Sequence, residues 1–583
     1  MRRRSGISGG LVACILITAV GTARAQQPGN PAVDAIFADL TRPGSPGCAL
    51  GIYRDGKVIY AKGYGLANVE ENVPITPETV FDIGSVSKQF TAAAIVLLEQ
   101  QDKLRLDDDV RKYVPELPDY SVQGGRRITI LDLLSHTSGL RDYVSLFLLS
   151  GIHFDNVTTD QDALGSITRQ KGLNFSPGSD WQYSGSGYFL LSLIVKQVSG
   201  KNLRDFAAAN IFHPLGMSHT EFRNDHSALI PRRAMAYDVS ENGGYKLSVS
   251  YAEETGDGML HTTIEDLQKW DENFYSGSIG GKNFAAEMER QARLDDGTTV
   301  AYAKGLFIAN YRGLRTVWHS GASAGYRAYL SRFPDRHFSV ACLCNRAGVD
   351  REKLVRAVAD LYLSEALKPK GSASTMSLSP AELRPLAGIY RDPKTGNVWR
   401  VSLAAGKLWV EFEESLLELR PLSPTEFQTV DYPMDVHLKF EPAHGDAQRR
   451  LIVDTWSQFP AVAEKIAETK PGSGELVTYA GDYWSDELRA TYRFTIKDDK
   501  LWMKELIGAD GVVHEGTVPF DELRPVVVDE FDLKAPMVIH FMRNATNNVI
   551  GFTLNGFHER GILFSRSGEL HNKLEPDAVR TSE

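Results

Sequence analysis

The chain has 583 residues, of which 42% are apolar and 24% charged, enough for two to four domains with sizeable cores. It carries 64 Lys and Arg against 74 Asp and Glu, a net charge of −10. That balance argues against a nucleic-acid partner and against binding to anionic lipid.

The first residues read as a bacterial Sec-type signal peptide over 1–25. Arg2, Arg3 and Arg4 form the positive start, residues 10–21 are a short apolar stretch, and Ala23-Arg24-Ala25 is a small-x-small cleavage site. Removal takes away four Arg and no acid, leaving 60 basic against 74 acidic residues, or −14. No later run approaches the roughly 20 apolar residues of a membrane span. The expected location is therefore periplasmic or secreted, with no membrane span.

Residues 48–53 and 58–61, joined across Asp55-Gly56, read as a β-hairpin. An unbroken apolar run from Phe90 to Leu98 reads as a buried helix, and it begins just after Ser85-Val86-Ser87-Lys88. Residues three apart share a helix face, so Ser85 and Lys88 are expected to point into one space, a hydroxyl beside its own base. Residues 100–310 read mainly as helices and loops. Strands return over 316–320, 326–333 and 337–345, and a helix follows over 351–367. Strands from both chain ends around a helical middle imply an α+β domain with one antiparallel sheet flanked by helices. After the signal peptide, Cys48, Cys342 and Cys344 remain. Cys342 and Cys344 alternate on one face of a strand and are expected as buried free thiols, with a disulfide to Cys48 as the alternative. No His/Cys spacing indicates zinc, and neither a metal nor a cofactor is expected.

Residues 368–379 form a Lys/Pro/Gly/Ser linker. Beyond it a repeat appears. Ala387-Gly388-Ile389-Tyr390 returns as Ala480-Gly481-Asp482-Tyr483, Lys407-Leu408-Trp409 as Lys500-Leu501-Trp502, and Leu419-Arg420-Pro421 as Leu523-Arg524-Pro525. Turn signals at the roughly 8–12-residue spacing of sandwiches and barrels predict two small antiparallel β-barrels, over 380–468 and 469–583. The catalytic domain then covers 26–367. The second module carries extra residues between Trp502 and Leu523.

Two further motifs follow Ser85 and Lys88 in order: Tyr183-Ser184-Gly185 in a Gly/Pro-rich loop, and His319-Ser320-Gly321 at the end of a strand. A loop Tyr near an ammonium can move a proton, and Gly321 lets backbone approach a reacting carbonyl closely. The three motifs together resemble the penicillin-recognising serine hydrolases: class C β-lactamases, D-aminopeptidases and related esterases. The segments 133–140, 176–178, 213–217 and 256–260 also resemble that family, over about residues 30–365. The resemblance implies that Ser85 is acylated, that Lys88 is its base partner, and that Tyr183 relays the proton. Which of Lys88 and Tyr183 takes the first proton stays open. It implies an oxyanion hole from the backbone N–H groups of Ser85 and Ala322, with His319 and Gly321 on the strand beside the site.

Two departures bear on the substrate. Gly185 stands where the family carries an Asn that binds the substrate amide, and His319 stands where β-lactamases and DD-peptidases carry Lys. Both argue against efficient β-lactam hydrolysis. Two C-terminal barrels resemble the lipocalin-like modules of three-domain D-aminopeptidases, in which a barrel loop reaches the active site. The extra residues near 508–511 are the expected loop. The implied function is hydrolysis of a small peptide, amide or ester, with D-aminopeptidase-like activity as the sharpest expectation. Carboxylesterase and weak β-lactamase or DD-peptidase activity are the alternatives, and a sensor acylated without turnover is the rival of another class. A homodimer is compatible with the sequence.

Overall fold

A computed structural model describes residues 30–567 except 124, 241, 370–375, 413–414, 431–435, 443–447, 455–459, 509–510, 515–521, 534–536 and 557. The expected signal peptide and half of the expected linker lie outside the described residues.

The catalytic domain is built on the strands β1 (Cys48–Arg54) and β2 (Lys57–Tyr64), then on the helices α1 (Lys88–Gln100), α2 (Ile130–Ser135), α3 (Tyr143–Leu149) and α4 (Gly185–Ser199). The strands β3 (Phe307–Tyr311), β4 (Leu314–Ser323), β5 (Tyr326–Phe333) and β6 (Phe338–Cys344) follow, and then α5 (Arg351–Tyr362). The order β3-β4-β5-β6-β1-β2 is antiparallel throughout and joins both chain ends, as the sequence predicts. β3 is an additional edge strand. Asp55 and Gly56 both have positive φ, which is the backbone a two-residue hairpin turn requires.

Side-chain alternation divides the sheet into two packed faces. On β6, Ala341 and Leu343 join the large core under α1 and α4. Val340, Cys342 and Cys344 join a second core closed by α5 and the N-terminal helix Pro31–Ile36. Cys342 and Cys344 do share a face, but the expectation of free thiols fails for two of the three. Cys48 is directly opposite Cys344 across the β1–β6 ladder, and the two form a disulfide. Cys342 stays a buried thiol, its pKa pushed up to about 12 by burial.

The repeat becomes two barrels. The first closes eight strands, from Gly388–Arg391 to Ala461–Ile466. The second closes through the pairing of Ala490–Lys497 with Lys500–Ile507. The repeated residues do the same work in each. Tyr390 donates to the Leu386 carbonyl at 2.8 Å, and Tyr483 to the Tyr479 carbonyl at 2.8 Å. Trp409 and Trp502 each donate to a carbonyl five residues earlier, at 3.3 and 3.2 Å. Part of the extra sequence in the second module forms the short strand Val513–His514 on the barrel edge.

The second barrel is seated on the catalytic domain. Leu146 and Leu149 of α3 belong to the barrel core, and Tyr492 donates to the Leu149 carbonyl at 2.9 Å. Beside this contact Arg141 and Glu487, 4% and 3% exposed, form an ion pair at 2.6 Å. Arg141 also donates to Gln170 and to the Arg560 carbonyl, while Glu487 accepts from the Lys171 and Leu563 amides. Removing one partner leaves the other charge buried and alone, which costs about 3–5 kcal/mol. Arg141→Ala is therefore expected to lower the thermal midpoint and to expose residues 556–561 to proteolysis. An unchanged melting curve and digestion pattern would contradict this docking.

Candidate active site

Ser85 lies in a tight turn, Gly84–Ser87, that runs directly into α1. The turn is pressed onto β4. A Cβ on Gly84, whose φ is +49°, would lie 2.6 Å from the Ala322 carbonyl oxygen. A Cβ on Gly321 would lie 1.9 Å from the Ile83 carbonyl oxygen and 3.2 Å from the Ser85 nitrogen. Only glycine permits this approach at either position. Asp82 ties the two elements together, accepting from the Gly84 amide at 2.9 Å and from the Ser323 hydroxyl at 2.7 Å.

From the first turn of α1, Lys88 Nζ donates to Ser85 Oγ at 3.1 Å and to the Asp257 carbonyl at 2.7 Å. The Tyr183 ring lies beneath the same ammonium, 4.9 Å from Nζ to its centroid. Its hydroxyl is buried without a settled hydrogen bond among the described residues. Burial raises the Tyr183 pKa, while Lys88 and Ser85 draw it back down.

His136, within one of the segments that resembled the family, holds this tyrosine. It sits at the left-handed C-terminus of α2. Its carbonyl accepts from the Gln182 amide at 3.1 Å and its Nδ1 from the Ser184 amide at 3.2 Å, one residue to each side of Tyr183. The two rings pack against each other, tilted by 39°, with centroids 4.3 Å apart.

His319 does not reach the substrate space. It is 2% exposed, donating from Nδ1 to the Ser320 carbonyl at 2.6 Å and accepting at Nε2 from Tyr302 at 2.9 Å. Burial, with Lys88 nearby, drives its pKa down to about 3, so it is neutral in place. His319, expected as a catalytic residue on the strand beside the site, is not among the residues that line the cavity: Tyr302 and Tyr183 lie against it. Gly321 is likewise buried, whereas Ser85, Lys88, Tyr183, Gly185 and Ala322 all line one cavity of about 210 Å³.

The barrel loop expected near 508–511 falls partly outside the described residues. Residues 509–510 lie outside the described residues, and no described residue of 503–522 lines the cavity. Among the described residues of the second barrel, His558, which lies between the strands Val549–Asn555 and Ile562–Arg566, forms part of the cavity wall. Asn174 grips this stretch, donating to the His558 carbonyl at 2.7 Å and accepting from the Arg560 amide at 2.8 Å. The sequence signal was the short polar run between Asn555 and Gly561, which repeat counting passes over.

Residues 33–363 match the family described as Beta-lactamase. The chain belongs to this family. Its members are serine hydrolases that act through an acyl-enzyme. The chain is 28% identical over 434 residues to Penicillin-binding protein 4* of Bacillus subtilis (strain 168), spanning 70% of this chain and 93% of that protein. It is 27% identical over 372 residues to a D-aminopeptidase of Gluconobacter oxydans (strain 621H), spanning 64% of this chain and 68% of that one. In fold it resembles the octameric penicillin-binding protein homologue from Pyrococcus abyssi, with a TM-score of 0.54 at 24% identity over 74% of this chain and 99% of that one.

This β-lactamase-family site is acidic. Asp142, Glu254 and Asp257 line the cavity, and Glu559 lies behind it. Burial raises Glu254 to about 7 and, with Asp142 adding repulsion, Glu559 to about 8. The folded chain thus keeps the Glu559 proton in a window, from about pH 4.5 to 8, where the unfolded chain has lost it. That contribution to stability is complete below the window and is lost as pH rises through it. Glu559→Gln is expected to flatten the fall of the thermal midpoint between pH 5 and 8, as read by calorimetry. An identical pH dependence in both proteins would contradict the assignment.

Gly185 sits between two carboxylates. A Cβ there would lie 2.9 Å from both Asp142 Oδ1 and Asp257 Oδ2. Gly185→Asn is expected to destabilise by about 1–3 kcal/mol through overpacking. It should gain no penicillin acylation, which a fluorescent penicillin would reveal on a gel.

Proposed function

We propose that this chain is an exported serine hydrolase that cleaves amides of D-amino acids or short D-peptides through an acyl-enzyme on Ser85. The observation that carries the reading is the contact of Lys88 Nζ with Ser85 Oγ, with the Tyr183 hydroxyl buried and uncommitted beside them. Ser85 Oγ attacks the substrate carbonyl as Lys88, reacting as the neutral amine, accepts its proton at Nζ; that proton later replaces the one Tyr183 gives to the leaving amine. Since burial holds Tyr183 above its ordinary pKa, it rests as a phenol, suited to protonating the leaving amine as the C–N bond breaks. The N–H groups of Ser85 and Ala322 are the proposed oxyanion donors, each worth roughly 10² to 10³ in rate. Water then attacks the ester, and Ser85 recovers its proton.

Similarity to a D-aminopeptidase supports the amide class. Gly185, which can offer no side-chain amide, and a neutral His319 weigh against penicillins, whose carboxylate a cation would attract. Export is supported by the Arg-rich apolar N-terminus and by the Cys48–Cys344 disulfide, a bond that persists in oxidising compartments.

The test pairs labelling with turnover. A fluorophosphonate is expected to label the wild type and not Ser85→Ala. D-amino-acid p-nitroanilides are expected to be hydrolysed at least tenfold faster than their L counterparts and than short esters. Equal D and L rates would defeat the stereochemical part, and a stable adduct without turnover would favour a sensor. Absence of any Ser85-dependent adduct would defeat the whole reading.

A further inference from the structure

The departure at Gly185 leaves a definite chemistry behind. The space beside its missing side chain is faced by Asp142 and Asp257, and both line the cavity that holds Ser85. Neither carboxylate is free to swing away. Asp142, which is 7% exposed, caps α3, accepting from the Ser145 amide at 3.0 Å while its Oδ1 accepts from the Gly185 amide. Asp257 Oδ1 accepts from the Tyr143 hydroxyl at 2.9 Å, so that Oδ2 is turned toward Gly185. The backbone of Asp257 accepts from Lys88 Nζ, which in turn touches Ser85 Oγ. Asp257 is thus two hydrogen bonds from the nucleophile.

The balance of charge at the cavity wall is uneven. Asp142, Glu254 and Asp257 face it, against Lys88 as the only Lys or Arg in the wall among the described residues. Lys88 already spends hydrogen bonds on Ser85 and on a backbone carbonyl. Like charges gathered away from water repel one another, and burial with the neighbouring Asp142 raises the Asp257 pKa. A ligand that relieves this strain carries positive charge. A metal ion is a poor fit. Among the described residues, the carboxyl and imidazole groups close enough to share an ion are Asp225, His226 and Glu253, not this trio. An ammonium presents three diverging donors and suits two carboxylates held on either side of a gap.

We propose that Asp142 and Asp257 form the subsite for the protonated amine of the substrate, so that the enzyme selects amides whose α-amine is unblocked. The proposal rests on the reading of Ser85 as the acylated nucleophile. Given that reading, both carboxylates line the same cavity as Ser85, which suits an amine carried close to the scissile carbonyl. Acylation of that amine removes its charge and adds bulk where Gly185 leaves little room. The two carboxylates would then occupy the place, and reverse the preference, of a side chain that binds an acylated amide.

Binding to the catalytically silent Ser85→Ala variant of the full chain separates this proposal from the chemistry. Calorimetry with D-phenylalaninamide and with N-acetyl-D-phenylalaninamide reads the preference directly. The free amine is expected to bind at least tenfold more tightly. Asp257→Asn and Asp142→Asn, each added to Ser85→Ala, are expected to cut that ratio at least fivefold, and Asp257→Glu to restore part of it. Asn keeps the helix cap at position 142, and if an Asn variant does not fold, the ratio in Ser85→Ala alone decides. Equal affinity for the two ligands, or a ratio untouched by both Asn variants, overturns the proposal. Loss of fluorophosphonate labelling in the wild type would instead overturn the reading of Ser85, and the binding ratio would still stand or fall by itself.

Discussion

The site depends on one close approach of backbone to backbone. The turn carrying Ser85 touches the end of β4 at Gly84 and Gly321, where a single added carbon on either side would overlap a carbonyl. That contact sets the spacing between the nucleophile and Ala322, the neighbouring residue at the cavity wall. It also explains why the sheet must be assembled from both chain ends. β4 is anchored through β5 and β6 to β1, the first strand of the domain, and the disulfide between Cys48 and Cys344 pins β1 to β6. Sheet and helix α1 meet at Ser85, so the geometry of Ser85 reports the integrity of the whole domain.

Around that fixed point the side chains are held by burial more than by charge. His136 and His319 both lie against the Tyr183 ring, and both are driven well below the ordinary histidine pKa. Two imidazolium ions beside Lys88 would raise the cost of its ammonium and of the burial itself. As neutral rings they pack at a tilt against Tyr183, and they accept or donate fixed hydrogen bonds. Tyr183 is therefore positioned by groups that do not titrate in its working range. Its own proton is left to respond to Lys88 and Ser85.

Legibility in the sequence followed the range over which each constraint acts. Ser85, Lys88 and Tyr183 are tied to short local motifs, since a nucleophile and its base need a helical spacing and a fixed loop. The strands of the sheet showed through alternation, and the barrels through a repeat whose Tyr and Trp make identical hydrogen bonds in both copies. The Cys48–Cys344 bond was hidden because it depends on the register of two strands 296 residues apart. The burial of His319 was hidden because Tyr302, which covers it, belongs to a loop with no motif of its own. His558 was hidden most deeply. Its place depends on the docking of a separate domain through Arg141, Glu487 and Asn174, and no periodicity records a contact between domains.

The same docking gives the acidic cavity its consequence. An exposed carboxylate trio would be hydrated and screened, and would discriminate weakly between substrates. Here the second barrel sits on α3, whose first turn is capped by Asp142 and carries Tyr143, the partner of Asp257. Its His558 forms part of the cavity wall, and the buried Glu559 beside it feels the charge of Asp142. Excluding water raises the cost of every unpaired carboxylate, and raises equally the gain when a cation arrives. On the proposed reading, the barrel acts on selectivity without supplying a reacting group: by enclosing carboxylates beside Ser85, it makes the charge of the incoming substrate count.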